Sequence, residues 1–393
     1  MKHVVLIEPK SPDRHTFSRW KLPRLGTILL GGRLRDAGYR VTVFAEEVAP
    51  VDFETLFSAD IVGISTITST APRAYEFARA ARKAGIPVMM GGSHVTFLPE
   101  EALQHCDYVV RGEADDLIVD LVRAIEAGQG FEKIPSLSYR AGDAVIHNPD
   151  APSCPDVDRL SPVDLSLVRG YDLHANANKI VPIQTSRGCP FDCKFCSVTK
   201  MFGRAYRFRN TENVMEELRA YRNRWVFFYD DNFTANRERA KDLCRAMIRE
   251  NLNLKWTAQV RCDAARDPEL LDLMARSGCY YVYIGLESVN PDVLQCFDKR
   301  QSIEDMETAI RELHQRRIRI HGMFIFGSDG DTTETFRRTV RFAKAHQIES
   351  AQFMILVPLP ERRSSRRWTA RGGFCRAIGA CTMRTTSSSS RRT

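Results

Sequence analysis

Three cysteines in this chain are spaced so that their thiolates could surround one inorganic cluster. Cys189, Cys193 and Cys196 follow the pattern C-x3-C-x2-C and come directly after the run 181–186, which is typical of a short buried strand. A [4Fe–4S] cluster takes four ligands, so three thiolates would leave one iron with an open position, as catalytic metal sites do. A zinc site completed by a distant residue and three unrelated buried thiols are the alternatives at this point.

The sequence around these cysteines resembles a known family. C-x3-C-x2-C with an aromatic residue, Phe195, before the last cysteine is similar to the hallmark of radical S-adenosylmethionine enzymes. The resemblance implies that the amino and carboxylate groups of S-adenosylmethionine chelate the open iron. It also implies that an electron from the cluster cleaves the sulfonium and gives a 5′-deoxyadenosyl radical.

Strand-like and helix-like runs alternate after the cysteines and predict six βα-type strands within residues 181–360. This alternation predicts a partial (β/α)6 TIM-like barrel, in which active-site residues lie at the carboxyl ends of the strands. The expected strand ends carry polar residues or glycine: Asp230, Gln259, Arg261, Glu287 and Gly327.

These residues suit the chemical groups of S-adenosylmethionine. Asp230 and Glu287 could bind its ammonium group or ribose hydroxyls, Arg261 could bind its carboxylate, and Gly327 would let the adenine approach the backbone. The resemblance places contacts to S-adenosylmethionine at these same strand ends. An alternative is that Asp230 and Asp231 form a solvated, helix-capping pair. The other cysteines of this region have no ligand spacing and are predicted to be core residues: Cys244, Cys262, Cys279 and Cys296.

Residues 1–145 also alternate strands and helices, with a period that predicts a doubly wound parallel sheet. The expected carboxyl ends of its strands carry small or polar residues: Ser65, Thr68, Gly91, Gly92 and Glu113. Paired glycines would let a large flat ligand approach the backbone, and hydroxyl groups could bond an amide or phosphate tail. Ordinary loop chemistry is the alternative interpretation of these residues.

The order and spacing of the runs G-I-S, G-G-S-H and V-R-G-E resemble the flavodoxin-like cobalamin-binding domain fused to many radical S-adenosylmethionine proteins. The resemblance implies cobalamin as a further cofactor. Some cobalamin proteins bind cobalt through the histidine of D-x-H-x-x-G after the first strand. Here His15 lies in a D-x-H run, but Ser18 stands in place of the glycine. We therefore expect cobalamin to be held without a protein histidine on cobalt.

Charge and composition limit the classes of partner. The net charge of +8 lies in residues 361–393, which contain nine arginines and one acidic residue, whereas the other 360 residues carry 48 basic and 48 acidic side chains. The body of the chain therefore has no electrostatic footprint for nucleic acid. No apolar run reaches the ~18–20 residues of a membrane span. Eleven cysteines without a disulfide pattern favour the reducing cytoplasm.

Two segments interrupt the alternation of strands and helices. Residues 146–180 are interrupted by prolines and are predicted to form a linker. Residues 361–393 lose all periodicity at the point where the family continues with Pro-Gly-Thr-Pro and an acidic amphipathic helix. One possible back-translation, shifted by one base, restores Gly-Thr-Pro followed by acidic residues, so we expect a frameshifted and disordered tail. A functional basic arm is the alternative.

These features predict a cobalamin-dependent radical S-adenosylmethionine enzyme, most often a methyltransferase acting on an unactivated carbon of a small molecule. Methylcobalamin would donate the methyl group to a substrate carbon radical, and a donor such as flavodoxin or ferredoxin would supply electrons. A cyclase or rearrangement enzyme and an inactive truncated remnant are the alternatives. A methylthiotransferase is disfavoured, because residues 1–145 contain one cysteine, Cys106, and cannot hold a second three-cysteine cluster.

Overall fold

The computed structural model describes residues 1–12, 22–151, 153, 156–172 and 179–357. These residues divide into an N-terminal unit, residues 1–151 and 164–171, and a C-terminal unit, residues 152–163 and 172–357. The D-x-H run with His15, Cys154 and residues 358–393 lie outside the described residues, and the expectations for them stay predictions.

The N-terminal unit is a sheet with helical crossovers. Its strands are β1 His3–Glu8, β2 Arg40–Ala45, β3 Ile61–Ser65, β4 Val88–Gly91, β5 Tyr108–Val110, β6 Leu137–Ala141 and β7 Ala144–His147. Its helices are α1 Leu25–Asp36, α2 Phe53–Phe57, α3 Ala71–Lys83, α4 Ser93–Phe97, α5 Pro99–Ala102 and α6 Ile118–Ala127. The strand order is β2-β1-β3-β4-β5-β6-β7. The first five strands are parallel, and β6 and β7 form an antiparallel hairpin.

The order 2-1-3-4-5 is that of flavodoxin-like folds, as the sequence predicts. All six residues of β1 are buried, which is the pattern of a strand covered on both faces of a parallel sheet. The carboxyl ends of β1, β3, β4 and β5 consequently share one edge, where doubly wound sheets bind ligands.

The C-terminal unit repeats strand and helix. Its strands are β8 Ile180–Ile183, β9 Ser186–Arg187, β10 Arg207–Phe208, β11 Trp225–Phe228, β12 Lys255–Val260, β13 Cys279–Glu287, β14 Arg319–Phe326 and β15 Ser350–Ile355. Its helices are α7 Val198–Phe202, α8 Thr211–Arg219, α9 Arg237–Arg249, α10 Pro268–Arg276, α11 Pro291–Cys296, α12 Ile303–Gln315 and α13 Thr333–Ala345. Six parallel strands follow chain order, β8-β11-β12-β13-β14-β15, as expected for a partial TIM-like barrel.

Short helices are where the sequence pattern and the structure differ. The pattern does not predict α2, α4, α5, α7 or α11, because four to six residues are too few to show a 3.6-residue period. Local caps mark two of them: the Asp52 side chain accepts hydrogen bonds from the first turn of α2, and Asn290 does the same for α11. The core assignment is wrong for Cys296, which is exposed at the end of α11, whereas Cys244, Cys262 and Cys279 are buried.

No helix in the described ranges combines the length and apolar character needed to cross a membrane.

Candidate functional site

The three cysteines lie in the loop between β9 and α7. Gly188 opens this loop with a φ of 83°, and a Cβ at this position would lie 2.5 Å from the carbonyl oxygen of Ala205. Glycine is therefore required for the close approach of the two backbone segments. At the other end of the loop, the Cys196 N–H donates to the Cys193 carbonyl at 3.1 Å. Main-chain contacts thus shape the loop, both within it and with the segment at Ala205.

All three thiols are free, with Cys193 buried and Cys189 and Cys196 partly buried. Burial raises the pKa of Cys189 and raises the pKa of Cys196 to about 12, and the charges of Asp231 and of the neighbouring thiolates act in the same direction. Positive charge nearby stabilises thiolates that lie this close together, and the irons of a cluster supply that charge. The donor set therefore fits a cluster. Within the described ranges, no three His, Cys, Asp or Glu side chains form a site for a single metal ion.

Asp230 holds the strand exit that leads to the cysteines. Its carboxylate is fully buried and accepts hydrogen bonds from the Thr185 N–H at 2.7 Å, the Thr185 hydroxyl and the Ser186 N–H at 2.9 Å. Arg239 donates to the Thr185 carbonyl at 3.0 Å and lies 3.9 Å from the Asp230 carboxylate. A solvated capping role for Asp230 is wrong, since Asn236 caps α9. The predicted contact of Asp230 with S-adenosylmethionine stays a prediction.

Asp231 lies beside the cysteine loop, and the sequence analysis assigns it no role in the site. Burial, followed by the charge of Asp230, raises the pKa of Asp231 to about 6, while a hydrogen bond from the Gly188 N–H acts in the opposite direction. Its charge also acts on Cys189 and Cys196. The signal available in the sequence was its place directly after Asp230.

Gln259 and Arg261 reach the same rim from β12. Gln259 Nε2 donates to the main-chain oxygen of Asp230 at 3.2 Å. Arg261 Nη1 lies 3.6 Å from Cys193 Sγ, and its Nη2 donates to the main-chain carbonyl of Lys299 at 2.6 Å. Arg261 therefore ties the cysteine loop to the segment that follows α11.

Glu287 forms a buried ion pair at the end of β13. Its Oε1 lies 2.6 Å from Lys299 Nζ, and the two side chains are only 6% and 7% exposed. Gly285 makes room for the pair, because a Cβ there would lie 2.4 Å from Glu287 Oε1 and 2.7 Å from Lys299 Nζ. Lys299 could not be predicted from the sequence, since a lysine after a short helix carries no spacing signal.

Gly327 begins the turn after β14 with a φ of 98°. Asp331 Oδ2 accepts hydrogen bonds from the Gly327 N–H at 2.8 Å and the Ser328 N–H at 2.9 Å. Its other oxygen, Oδ1, is buried and has no hydrogen-bond partner among the described residues. A buried acceptor without a donor is costly, so this turn fits a ligand that brings a hydroxyl or amino group, as S-adenosylmethionine does.

The carboxyl edge of the N-terminal sheet gathers the five residues predicted there. Ser65 ends β3, Gly91 ends β4, and these two strands are neighbours in the sheet. Thr68 follows β3 in a short turn, and Glu113 follows β5, the next strand along. All of these side chains and Gly91 are partly buried.

The two glycines at this edge have different surroundings. Gly92 has a φ of 97°, and a Cβ there would lie 2.4 Å from the Thr66 carbonyl oxygen, so glycine is needed for the strand exits to meet. Among the described residues, a Cβ at Gly91 would approach only the Val110 carbonyl, at 3.9 Å. The described backbone is therefore open beside Gly91, which fits a large ligand lying against this edge.

His94 is a buried residue at this edge of the sheet. It lies in α4 and is 2% exposed. Its Nδ1 is 3.3 Å from Thr68 Oγ1, and its Nε2 is 3.2 Å from Glu101 Oε1. Both ring nitrogens are thus engaged within the chain.

Comparisons with known proteins identify both units. Residues 183–343 match the model of the Radical SAM superfamily, and residues 20–122 match the model of the B12 binding domain. The chain is 35% identical to an uncharacterized methyltransferase of Pyrococcus horikoshii over 87% of this chain and 77% of that protein. It is 28% identical to the bacteriochlorophyllide d C-12(1)-methyltransferase of Chlorobaculum tepidum, over 91% and 76%. It is 30% identical to the anaerobic magnesium-protoporphyrin IX monomethyl ester cyclase of Cereibacter sphaeroides, over 91% and 62%.

Among solved structures, the radical S-adenosylmethionine methyltransferase TsrM from Kitasatospora setae, with cobalamin and a [4Fe–4S] cluster bound, has a similar fold. The two structures superpose with a TM-score of 0.78 at 21% sequence identity, and the match covers 94% of this chain and 78% of the TsrM chain. The fold class and the cofactor set expected from the sequence are confirmed by these matches. The chain therefore belongs to the radical S-adenosylmethionine enzymes that carry an N-terminal B12-binding domain.

Proposed function

We propose that this enzyme is a cobalamin-dependent methyltransferase that acts on an unactivated carbon of a small molecule or natural-product intermediate. The observation that carries the proposal is 35% identity, across most of the chain, to a protein named as a methyltransferase. The free cysteine triplet beside Asp231 and the open edge beside Gly91 support it, because they fit the two kinds of cofactor that this chemistry requires.

In this proposal, the cofactors bind at three sites: the cysteine loop, the rim of the barrel and the edge of the N-terminal sheet. Cys189, Cys193 and Cys196 would hold the cluster, and Asp230 with Arg239 would keep the preceding strand exit in place. Bound together, the cluster, S-adenosylmethionine and cobalamin supply radical initiation and a transferable methyl group.

Two sets of rim residues would then bind the organic cofactors. We assign S-adenosylmethionine to the rim formed by Gln259, Glu287, Lys299, Gly327 and Asp331. We assign cobalamin to the N-terminal edge, whose members are Ser65, Thr68, Gly91, Gly92 and Glu113. The unpaired Asp331 Oδ1 supports the first assignment and the open backbone at Gly91 the second.

We further propose the following organisation and setting. Residues 1–145 form the cobalamin-binding domain, residues 146–180 the connection, and residues 181–360 the radical S-adenosylmethionine domain. A small electron-transfer protein such as flavodoxin or ferredoxin reduces the cluster, and nucleic acid is not a partner, because the first 360 residues have no net charge. Eight free thiols in the described ranges suit a reducing cytoplasm.

The test is anaerobic turnover with S-adenosylmethionine carrying a deuterated methyl group. Reconstituted protein is supplied with hydroxocobalamin, which carries no methyl group, together with a low-potential reductant and a panel of candidate substrates that includes magnesium tetrapyrroles. The proposal expects 5′-deoxyadenosine, S-adenosylhomocysteine and a product that contains the deuterated methyl. Failure to form 5′-deoxyadenosine with any substrate would contradict a radical enzyme and favour an inactive remnant.

A cyclase or rearrangement enzyme is the second candidate, favoured by the 30% identity to the magnesium-protoporphyrin monomethyl ester cyclase of Cereibacter sphaeroides. The same experiment separates the two. A cyclase would form 5′-deoxyadenosine and a product without the deuterated methyl.

A further inference from the structure

The side chain of Arg261 contacts the sulfur of Cys193, one of the three predicted cluster ligands. Its Nη1 lies 3.6 Å from Cys193 Sγ, within range of an N–H···S hydrogen bond. Arg261 is 8% exposed and Cys193 is 6% exposed. The contact is therefore screened little by solvent.

Three further contacts fix the guanidinium in this position. Its Cζ lies 3.8 Å from the centre of the Phe191 ring, and its Nη2 donates to the Lys299 carbonyl at 2.6 Å. Its Nε lies 3.4 Å from the carboxylate of Asp263, whose side chain is 34% exposed. The guanidinium is held by one hydrogen bond and by the ring face, and Nε makes an ion-pair contact without a hydrogen bond, so Nη1 cannot turn away from the sulfur without disturbing another contact.

We propose that Arg261 raises the reduction potential of the cluster through this hydrogen bond to Cys193. The sequence analysis assigns it instead to the carboxylate of S-adenosylmethionine. Hydrogen bonds to ligand sulfurs and the local net charge are two of the factors that set cluster potentials. One-electron reduction adds a negative charge to the cluster, and a guanidinium, which stays protonated, stabilises the more negative state. The inference rests on the proposed cluster but not on methyl transfer.

The experiment is an anaerobic redox titration of the reconstituted full chain without S-adenosylmethionine, with dithionite as reductant and the reduced cluster followed by electron paramagnetic resonance. Arg261→Met should lower the ratio of reduced to oxidised cluster at a given ambient potential about tenfold, which equals about 59 mV for one electron. Arg261→Lys keeps the charge but loses the planar guanidinium with its several N–H donors. Its cluster should have a reduction potential between those of Arg261→Met and the wild type. Arg266→Met is the matched control, since Arg266 is 62% exposed and pairs with Asp305.

Two results would overturn the proposal. If Arg261 binds the carboxylate of S-adenosylmethionine instead, the variants keep the wild-type potential and bind S-adenosylmethionine more weakly, as measured by isothermal titration calorimetry. If Arg261 only supports the loop, iron content falls and the remaining cluster titrates at the wild-type potential. Should Arg261→Met lose the cluster completely, Arg261→Lys decides, since its cluster must titrate at a lower potential than that of the wild type. The potential is measured without turnover, so failure of methyl transfer would leave this test intact.

Discussion

The two edges to which we assign ligands in this enzyme are built from opposite kinds of residue. The edge of the N-terminal sheet consists mainly of hydroxyls and glycines, and its shape depends on the backbone, as at Gly92 against Thr66. The rim of the C-terminal barrel carries buried charges held by another charge or by main-chain groups, as in the pair of Glu287 and Lys299. An edge shaped by the backbone suits a large ligand bound by surface contact, whereas paired charges suit small charged groups and a metal cluster.

The largest difference between the edges should follow from removing a predicted cluster ligand. Cys193→Ala should reduce iron from about four per chain to nearly none, because two thiolates cannot hold the cluster. Binding of hydroxocobalamin should not change, since the N-terminal edge does not use this residue. Iron analysis and visible absorbance measure the two effects. Cys296→Ala is the control, as its thiol is exposed, and equal loss of iron in both variants would contradict the assignment.

The next effect concerns the buried ion pair of the barrel rim. Glu287→Gln or Lys299→Met should each lower the free energy of unfolding of the cluster-free protein by about 3–5 kcal/mol, because either change leaves a buried charge unpaired. The double variant should lose less than the sum of the two single variants. Urea unfolding followed by tryptophan fluorescence measures this. Additive losses would show that the two charges are solvated separately.

A smaller effect should follow from adding one methyl group at the N-terminal edge. Gly92→Ala forces a non-glycine residue to a φ of 97° and places Cβ 2.4 Å from a backbone oxygen, so we expect a loss of stability of about 1–3 kcal/mol together with weaker cobalamin binding. Gly85→Ala is the matched control, at the opposite end of β4, with a φ of 76° and no described atom within 4 Å of the new Cβ, and should cost about 1–2 kcal/mol. Similar cobalamin affinity in both variants would contradict a close backbone contact with the ligand.

The smallest effect is a pH dependence inside the barrel unit. Burial lowers the pKa of His321 from its usual 6.5, and the ring contacts Ser350 Oγ at 2.7 Å. Because the folded-state pKa is below the unfolded one, the stability that neutral His321 contributes is present above pH 6.5 and is lost as the pH falls. Between about pH 7.5 and about pH 5.5, the free energy of unfolding measured in urea should therefore fall more for the wild type than for His321→Gln. Equal losses would mean that the ring is solvated.

Residue types and their order were sufficient to predict both sheets, the cysteine triplet and the positions of the rim residues. Alternating apolar runs fix which strands are buried, and in parallel sheets the carboxyl ends of neighbouring strands must meet at one edge. Asp230, Arg261 and Glu287 accordingly lie at the ends of their strands, and Ser65 and Gly91 lie together on β3 and β4.

Only the tertiary structure decided what those residues contact. Asp230 is turned to the Thr185 backbone, Arg261 to Cys193, and Glu287 to Lys299, a residue with no sequence signal. The short helix α11 escaped prediction for the same reason: its position depends on one cap and not on periodicity. Periodicity in a sequence records which side of an element is buried, whereas the partner of a buried charge depends on which distant segment packs beside it. That choice is made when the whole unit folds, because a charge removed from water must find its counter-charge or donor there.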